Sequence, residues 1–392
     1  SVVVMDLDSG TFLYSKNMDV AKYPASITKI LTTLIAIEHS HPSEKVTFSE
    51  NAVYGIEQGS SNIGIRLGEN LTMEDCLYGM MLESANEVCV AVAEHISGSV
   101  DAFVELMNQK AASLGCTNTH FTNPNGLPDE NHYTTAHDMA LIAQELLKNE
   151  TYRSMMSNTY YVIPPTNKQP EERPLHGQHQ MLNESSLYYY EYAEGGKTGY
   201  TVEAQNTLVT YAKQGDTELI AVVLKCNGAQ HYVDTKALFD YGFANYQTVK
   251  AFSAADLTQN VAITETYKDK TTTLDTIAAA PASDVYVTIP KNATIENITK
   301  AVDCPESASV PVAVGDKLGT VVLSMDGEAL ATVDLTAQKE VKATTDEERA
   351  AQAAAARNKI LKHIAIGVGI VFGILVIVFC CCRYIGYQRR ER

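Results

Sequence analysis

Positive charge is scarce in this 392-residue chain: 30 Lys and Arg stand against 47 Asp and Glu, a formal net charge of −17. Phosphate recognition needs clustered cations, so no nucleic-acid partner is expected. Cysteine is sparse as well, with eight residues, no CxxC and no Cys/His spacing suited to zinc, so no metal site is expected either. Five of the eight (Cys76, Cys89, Cys116, Cys226, Cys304) precede a long apolar run near the C-terminus. An odd number excludes complete disulfide pairing, and most of the five are expected to be buried small hydrophobes. Cys380 to Cys382 are expected to be apolar filler rather than acyl acceptors. No signal peptide is visible. The chain opens without Met on the strand-like run Ser1-Val2-Val3-Val4-Met5 and is expected to be a processed or trimmed form.

Apolar residues make up 45 % of the chain, enough to build a sizeable core, so disorder is not expected. The length predicts two domains, or one large domain with appendages. Charge is unevenly placed. From Arg357 onward there are seven Lys or Arg and one acid, Glu391, a net of +6 that leaves −23 on everything before it. Inside that basic tail lies IAIGVGIVFGILVIVFCCC, Ile364 to Cys382, 19 residues without a charge. As a helix rising 1.5 Å per residue it spans roughly 28 Å, close to the hydrocarbon core of a bilayer. A buried soluble helix is the other reading, but an uncharged run of this length near a chain end points to a transmembrane helix over 363–383. Arg383, Arg389, Arg390 and Arg392 follow, and the positive-inside rule makes 384–392 a cytoplasmic basic tail. Everything before residue 363 is then expected outside the cell membrane.

Residues 1–16 read as a hairpin, VVVMDLD and TFLYS around a turn at Ser9-Gly10. Apolar spacing predicts helices from Thr72, an N-cap, to about Met81, then over Glu87 to Ile96, Val100 to Leu114 and Thr135 to Lys148. Thr207 to Tyr211 and Glu218 to Lys225 alternate as two strands around Gln214-Gly215-Asp216, and a helix over Val233 to Tyr241 closes the unit. Strands at both ends with helices between imply an α/β domain whose antiparallel sheet is built from the two ends of the unit, over 1–248. Residues 252–340 carry short β runs (VAITE, DVYVTIP, KLGTVVLSM, ALATVDL) and read as a small β-sandwich domain. The Ala-, Gln- and charge-rich stretch 341–362 reads as a helical linker into the membrane.

Within the first domain, Pro24-Ala25-Ser26-Ile27-Thr28-Lys29 precedes the apolar run Ile30 to Ile37. Helical spacing puts Ser26 in a first turn and Lys29 on the same face. A serine hydroxyl becomes a nucleophile when a neighbouring base takes its proton, and a desolvated amine is such a base. Ser-x-x-Lys is also expected by chance about once in a chain of this size, and Ser before an apolar run is an ordinary N-cap. Two further motifs separate these readings. Lys197-Thr198-Gly199 offers a cation, a hydroxyl and a residue that lets a substrate backbone come close. Ser-x-Asn occurs at Ser49, Ser60 and Ser84. Ser84-Ala85-Asn86 is preferred, because it sits at the junction of two apolar helices, whereas the others fall in a turn-rich stretch.

Ser-x-x-Lys, Ser-x-Asn and Lys-Thr-Gly in this order form the motif set of penicillin-binding proteins and class A β-lactamases. With GSSNIGIRLGENLTMEDCLYGMMLESANEV, THFTNPNGLPDENHYTTAHDMALIAQELL and GGKTGYT, the chain resembles the serine-type D-alanyl-D-alanine carboxypeptidases, low-molecular-mass penicillin-binding proteins of peptidase family S11. The resemblance covers about residues 1–248, and the β region and membrane anchor suit that family. It implies a penicillin-binding/β-lactamase-like transpeptidase fold of the α/β (α+β) class, an antiparallel sheet flanked by helices. It also implies removal of the terminal D-Ala from peptidoglycan stem peptides through an acyl-enzyme on Ser26, with no cofactor. Lys29 would be the general base, and Ser84 would relay a proton to the departing D-Ala. Asn86 would hold the substrate amide, and Lys197 and Thr198 its carboxylate. Backbone N–H groups of Ser26 and Tyr200 would form the oxyanion hole, and β-lactam antibiotics would acylate the same serine.

Some departures qualify the resemblance. Class A β-lactamases carry a Glu-x-x-Leu-Asn deacylation motif, and here His179 occupies the Glu position before Met181-Leu182-Asn183, so efficient β-lactam hydrolysis is not expected. Related carboxypeptidases often place an Arg in the strand after Lys-Thr-Gly, where this chain has Lys225-Cys226, so a carboxylate-binding role there stays open. Glu87 replaces a more usual Asp. His132 and His137 are expected to be loop and helix-start residues rather than ligands. A β-lactamase-like hydrolase and a non-catalytic wall-binding protein are the alternative readings, and the intact motifs weigh against the second.

Overall fold

The computed structural model of this chain describes residues 1–388, so Arg389, Arg390 and Arg392 of the expected basic tail lie outside the described residues. Strands β1 (Val2–Asp6) and β2 (Phe12–Lys16) form the opening hairpin. A 3-10 turn, Ala25–Thr28, runs directly into helix α1 (Lys29–His39). Strand β3 (Lys45–Thr47), helix α2 (Glu50–Tyr54) and strand β4 (Asn70–Thr72) follow, with β3 and β4 paired. Helices α3 (Met73–Leu82), α4 (Asn86–Ser97), α5 (Val100–Ser113), α6 (Ala136–Leu147) and α7 (Glu150–Met156) come next. A small hairpin, β5 (Tyr160–Ile163) and β6 (Arg173–His176), precedes the long strands β7 (Ala193–Thr201), β8 (Gln205–Gln214) and β9 (Thr217–Cys226), and helix α8 (Gln230–Asn245).

Local chemistry accounts for most of these boundaries. Thr72 and Asp75 close a reciprocal capping box on α3: Asp75 N–H donates to Thr72 Oγ1 at 3.1 Å and Thr72 N–H to Asp75 Oδ2 at 3.0 Å. Ser99 and Thr135 cap α5 and α6 with a single bond each, their side-chain oxygens accepting from the N–H groups of Ala102 and Asp138. The α8 helix is longer than the spacing of Val233 to Tyr241 predicts. Its first turn buries His231 and Tyr232 and its last buries Phe243, so packing on the sheet extends it at both ends. Helix α7 and the β5–β6 hairpin carry no clear periodicity. The hairpin is fixed by contacts to α3, where Tyr161 stacks on Tyr78 at 3.7 Å and its hydroxyl donates to Asp75 Oδ1 at 2.9 Å, whereas α7 packs on α6 and β7.

The principal sheet has the order β2-β1-β9-β8-β7, antiparallel throughout, so the opening hairpin pairs with the last strand of the unit and β7 forms an edge. Both faces are buried, as alternating side chains require. Val3, Met5, Val209, Tyr211 and Val222 join the core that contains α1, α3, α4 and α6. Val4, Leu208, Ala212, Ala221 and Val223 join a second core with Tyr232, Phe239 and Phe243 of α8. Every residue of α1 from Lys29 to Ala36 is buried. This helix is therefore the centre of the helical layer, and its N-terminal turn lies against β7 and β8, with Thr207 Oγ1 donating to the carbonyl of Pro24 at 2.8 Å.

The described chain divides into two compact units: Ser1–Ser253 with Ser283–Ala301 and Val322–Val333, and Ala254–Ala282 with Val302–Val321 and the residues from Asp334 onward. In the first, Tyr246–Phe252 pairs antiparallel with Val285–Pro290. In the second, Gln259–Tyr267 and Lys270–Ala280 form a hairpin to which Ser307–Ser309 adds in parallel. The β runs expected beyond residue 252 are thus strands. The chain then enters one continuous helix, Asp346–Gln388, that takes in the expected linker from residue 346 onward and the expected spanning segment, and is long and apolar enough to cross a membrane.

Candidate active site

Ser26 lies within the 3-10 turn and Lys29 is the first residue of α1, so the pair is brought together one turn apart, as the spacing predicts. Ala25 has a φ of +53°, rare for a residue with a Cβ. The turn is held in that conformation from two sides. Gly126 is so close that a Cβ there would lie 1.9 Å from the carbonyl oxygen of Ala25. Gly199 of β7 is equally tight: its Cβ would meet Thr207 Oγ1 at 2.4 Å and the backbone nitrogen of Ser26 at 2.9 Å. Both positions demand glycine because another chain segment occupies the space a side chain needs.

Lys29 is fully buried, and its Nζ donates to Ser26 Oγ at 3.0 Å, Asn86 Oδ1 at 2.7 Å and the carbonyl of Asn125 at 2.6 Å. Burial pushes its pKa below that of an ordinary lysine, and the nearby Cys89 and Glu87 oppose the shift. Ser84 sits at the junction of α3 and α4 with a φ of +59°, and its buried Oγ has no hydrogen-bond partner among the described residues. An unpaired buried hydroxyl is costly in a finished fold, and it leaves a free donor and acceptor beside the site. Asn86 opens α4, and its backbone N–H donates to the carbonyl of Ser61 at 2.9 Å.

Lys197, Thr198, Gly199 and Tyr200 follow one another along the edge strand β7. Lys197 is 2 % exposed, and burial together with the positive charge of Lys29 lowers its pKa to about 7. The Tyr200 side chain is 64 % exposed, so what this residue brings to the turn beside it is its backbone. Lys225 lies elsewhere. It is the last residue but one of β9, two strands from β7, where it lines a cavity with Lys16, Asp234 and Tyr241.

Several contributors to the site leave no residue-type signal. The Asn125 carbonyl is aimed at Lys29 by a tightly bonded loop: Thr32 Oγ1 donates to the carbonyl of Pro124 at 2.6 Å, and Gly126 N–H donates to Asn123 Oδ1 at 2.7 Å. Behind it, the Nδ1 of His132 accepts from Thr122 N–H at 3.0 Å, so its Nε2–H faces Thr28 Oγ1 at 2.9 Å. Burial lowers the His132 pKa to about 4, which keeps this link neutral. Glu87, also buried, accepts from Ile63 N–H at 2.7 Å and ties the 61–65 loop to the first turn of α4. The string around Asn123 to His132 contains these residues, but a backbone acceptor is supplied by any residue and is invisible until the loop is folded.

A serine, a buried amine and a lysine-bearing edge strand converge here, and comparison with known proteins identifies the arrangement. The family model for D-alanyl-D-alanine carboxypeptidase matches residues 1–228. The chain belongs to this family. Its enzyme class is therefore that of a serine D-Ala-D-Ala carboxypeptidase. Residues 246–343 match the C-terminal domain of penicillin-binding protein 5. The D-alanyl-D-alanine carboxypeptidase DacF of Bacillus subtilis is 34 % identical over 351 residues, covering 87 % of this chain and 85 % of that protein. Penicillin-binding protein 5 from Haemophilus influenzae has a similar structure, with a TM-score of 0.67 at 30 % identity, covering 87 % of this chain and 97 % of that one. A mutant of the Streptomyces K15 DD-transpeptidase aligns with a TM-score of 0.58 at 29 % identity over 62 % of this chain and 96 % of that one. Peptidoglycan peptides are the substrate class that goes with the family, and the apolar C-terminal helix is consistent with membrane anchoring.

Proposed function

We propose that this carboxypeptidase removes the terminal D-Ala of peptidoglycan stem pentapeptides with Ser26 as nucleophile and Lys29 as general base. The observation that carries the assignment is the Lys29 Nζ to Ser26 Oγ distance of 3.0 Å, with the amine fully buried and the hydroxyl-bearing residue partly exposed. Lys29 takes the Ser26 proton as Oγ attacks the carbonyl between the two D-Ala residues. The oxyanion is received by the backbone N–H groups of Ser26 and Tyr200. Ser84 passes the proton to the departing D-Ala amine, and water then releases the shortened peptide from Ser26. Asn86 holds the substrate amide, Lys197 and Thr198 hold the terminal carboxylate, and Gly199 lets the substrate backbone approach. β-Lactams acylate the same serine, and the mechanism needs no cofactor or metal.

The assignment extends to organisation. The catalytic domain is 1–248, the β-rich domain 252–340, the linker 341–362, the spanning helix 363–383 and the tail 384–392. The basic tail lies in the cytoplasm and the catalytic domain on the wall side of the cell membrane. Incubation of the wild type and Ser26→Ala with fluorescent penicillin and with a D-Ala-D-Ala pentapeptide tests the chemistry. A stable label and D-Ala release, both lost in Ser26→Ala, are expected. Rapid turnover of the label would favour a β-lactamase instead, and the absence of any label would exclude both enzymatic readings.

A further inference from the structure

The strand that carries Lys197 has no side chains of its own just before it. Gly195 and Gly196 stand there, and Gly196 has a φ of +155°. In the β7–β8 ladder Gly195 pairs with Tyr211, Gly196 with Thr210 and Lys197 with Val209. Paired residues point to the same face. Tyr211 and Val209 belong to the core on the α1 side, whereas Thr210 lies between Leu208 and Ala212 of the α8-side core. Rings bear on the glycine backbone from both faces. A Cβ on Gly195 would lie 2.4 Å from the ring of Tyr211, and one on Gly196 would lie 2.9 Å from His179 Nε2.

We infer that His179 and Tyr211 form a two-sided clamp on the Gly195–Gly196 backbone, and that His179 is thereby a positioning residue for the substrate carboxylate. The inference rests on the proposed role of Lys197 and Thr198. Glycine has the most backbone freedom of any residue, so this segment takes its position from what touches it. His179 is fixed for the task. Its Nε2 lies 2.9 Å from Thr210 Oγ1, its ring is tilted against Tyr232 at 6.1 Å, and 7 % of it is exposed. Its buried Nδ1 has no partner among the described residues, and the ring lines a narrow cavity that reaches Thr198. Burial and the charge of Lys197 lower the His179 pKa to about 3, which leaves Lys197 as the cation of this strand. A shift of about one ångström confined to the Gly195–Lys197 segment would misplace both carboxylate-binding groups, while Gly199, packed on the Ser26 turn, keeps the Ser26–Lys29 geometry.

The test uses the purified full chain in detergent, as wild type, His179→Ala and His179→Asn. Fluorescent penicillin carries a carboxylate that the strand must hold. A small aryl sulfonyl fluoride has none and reports on Ser26, Lys29 and the oxyanion-binding amides without the carboxylate-binding groups. In His179→Ala the second-order rate of penicillin acylation is expected to fall about tenfold or more, and KM for a D-Ala-D-Ala peptide to rise by more than kcat falls. Sulfonylation is expected to stay within about twofold of the wild type, with His179→Asn intermediate in acylation. An unchanged penicillin rate in His179→Ala overturns the inference. Equal loss of both reactions in His179→Asn, which keeps a polar side chain in place, overturns it as well. A wild type that takes no penicillin label overturns the proposed function itself, and is distinguished from failure of the clamp by that fact.

Discussion

Lys29 has an oxygen in each direction its amine can use, from Ser26, Asn86 and the carbonyl of Asn125. As an ammonium it donates to all of them. As a neutral amine it keeps the donations to Asn86 and Asn125 and turns its lone pair on the Ser26 hydroxyl, which is the state a base requires. The same residue is therefore held in place in both protonation states. In the proposed mechanism Lys197 has the opposite requirement, because an amine holds a carboxylate only when protonated. Acylation, read as kcat/KM, is therefore expected to rise with pH as Lys29 loses its proton and to fall at higher pH, where Lys197 loses its own. A neutral Lys29 no longer lowers the Lys197 pKa, so the alkaline limb is expected above about 7. A pH–rate profile checks this. Lys197→Arg, which stays charged, should move the alkaline limb upward, and an unmoved limb would remove Lys197 from that role. Ser26, Lys29 and Lys197 were legible in the sequence because their chemistry demands particular residue types. The Asn125 carbonyl was not, since any residue supplies one.

At the scale of elements, the site is a meeting of the start of α1, the junction of α3 and α4, and the edge strand β7. The capping box at Thr72 and the apolar spacing of α3 to α6 were readable, because caps and helical periodicity are local. The region from Glu150 to His176 was not. Its helix and hairpin are placed by distant partners, including the ion pair between Arg173 and Glu69 at 3.0 Å. Glu69 is fully buried and also accepts from Thr166 Oγ1 at 2.8 Å and Arg66 N–H at 2.9 Å. Removing the cation leaves this carboxylate in a dry setting with fewer partners. Arg173→Met is expected to destabilise the protein by about 3 kcal/mol, measured by denaturant unfolding. A loss close to zero would mean that water takes the place of the guanidinium.

For the whole molecule, charge and hydropathy divide the chain more sharply than secondary structure does. A net of −23 precedes Arg357 and +6 follows, with the uncharged run inside the basic part. The long helix Asp346–Gln388 is one element across that boundary. A chain ending at Thr345 is expected to leave the membrane fraction and still take the penicillin label, because every residue of the candidate site lies before residue 253. Fractionation followed by labelling checks both halves. Label lost with the helix would show that the catalytic unit depends on its anchor.

The sequence by itself determined the candidate Ser26–Lys29 pair, the Lys197-Thr198-Gly199 triplet, the helices with clear caps and the apolar helix at the C-terminal end. Each of these is a local pattern of residue types whose physics acts over a few positions. Only the tertiary structure decided which backbone groups complete the site and what holds β7 in register. It also showed that Gly126 and Gly199 both close on the Ser26 turn. Those are contacts between segments well separated along the chain, and no local pattern encodes them.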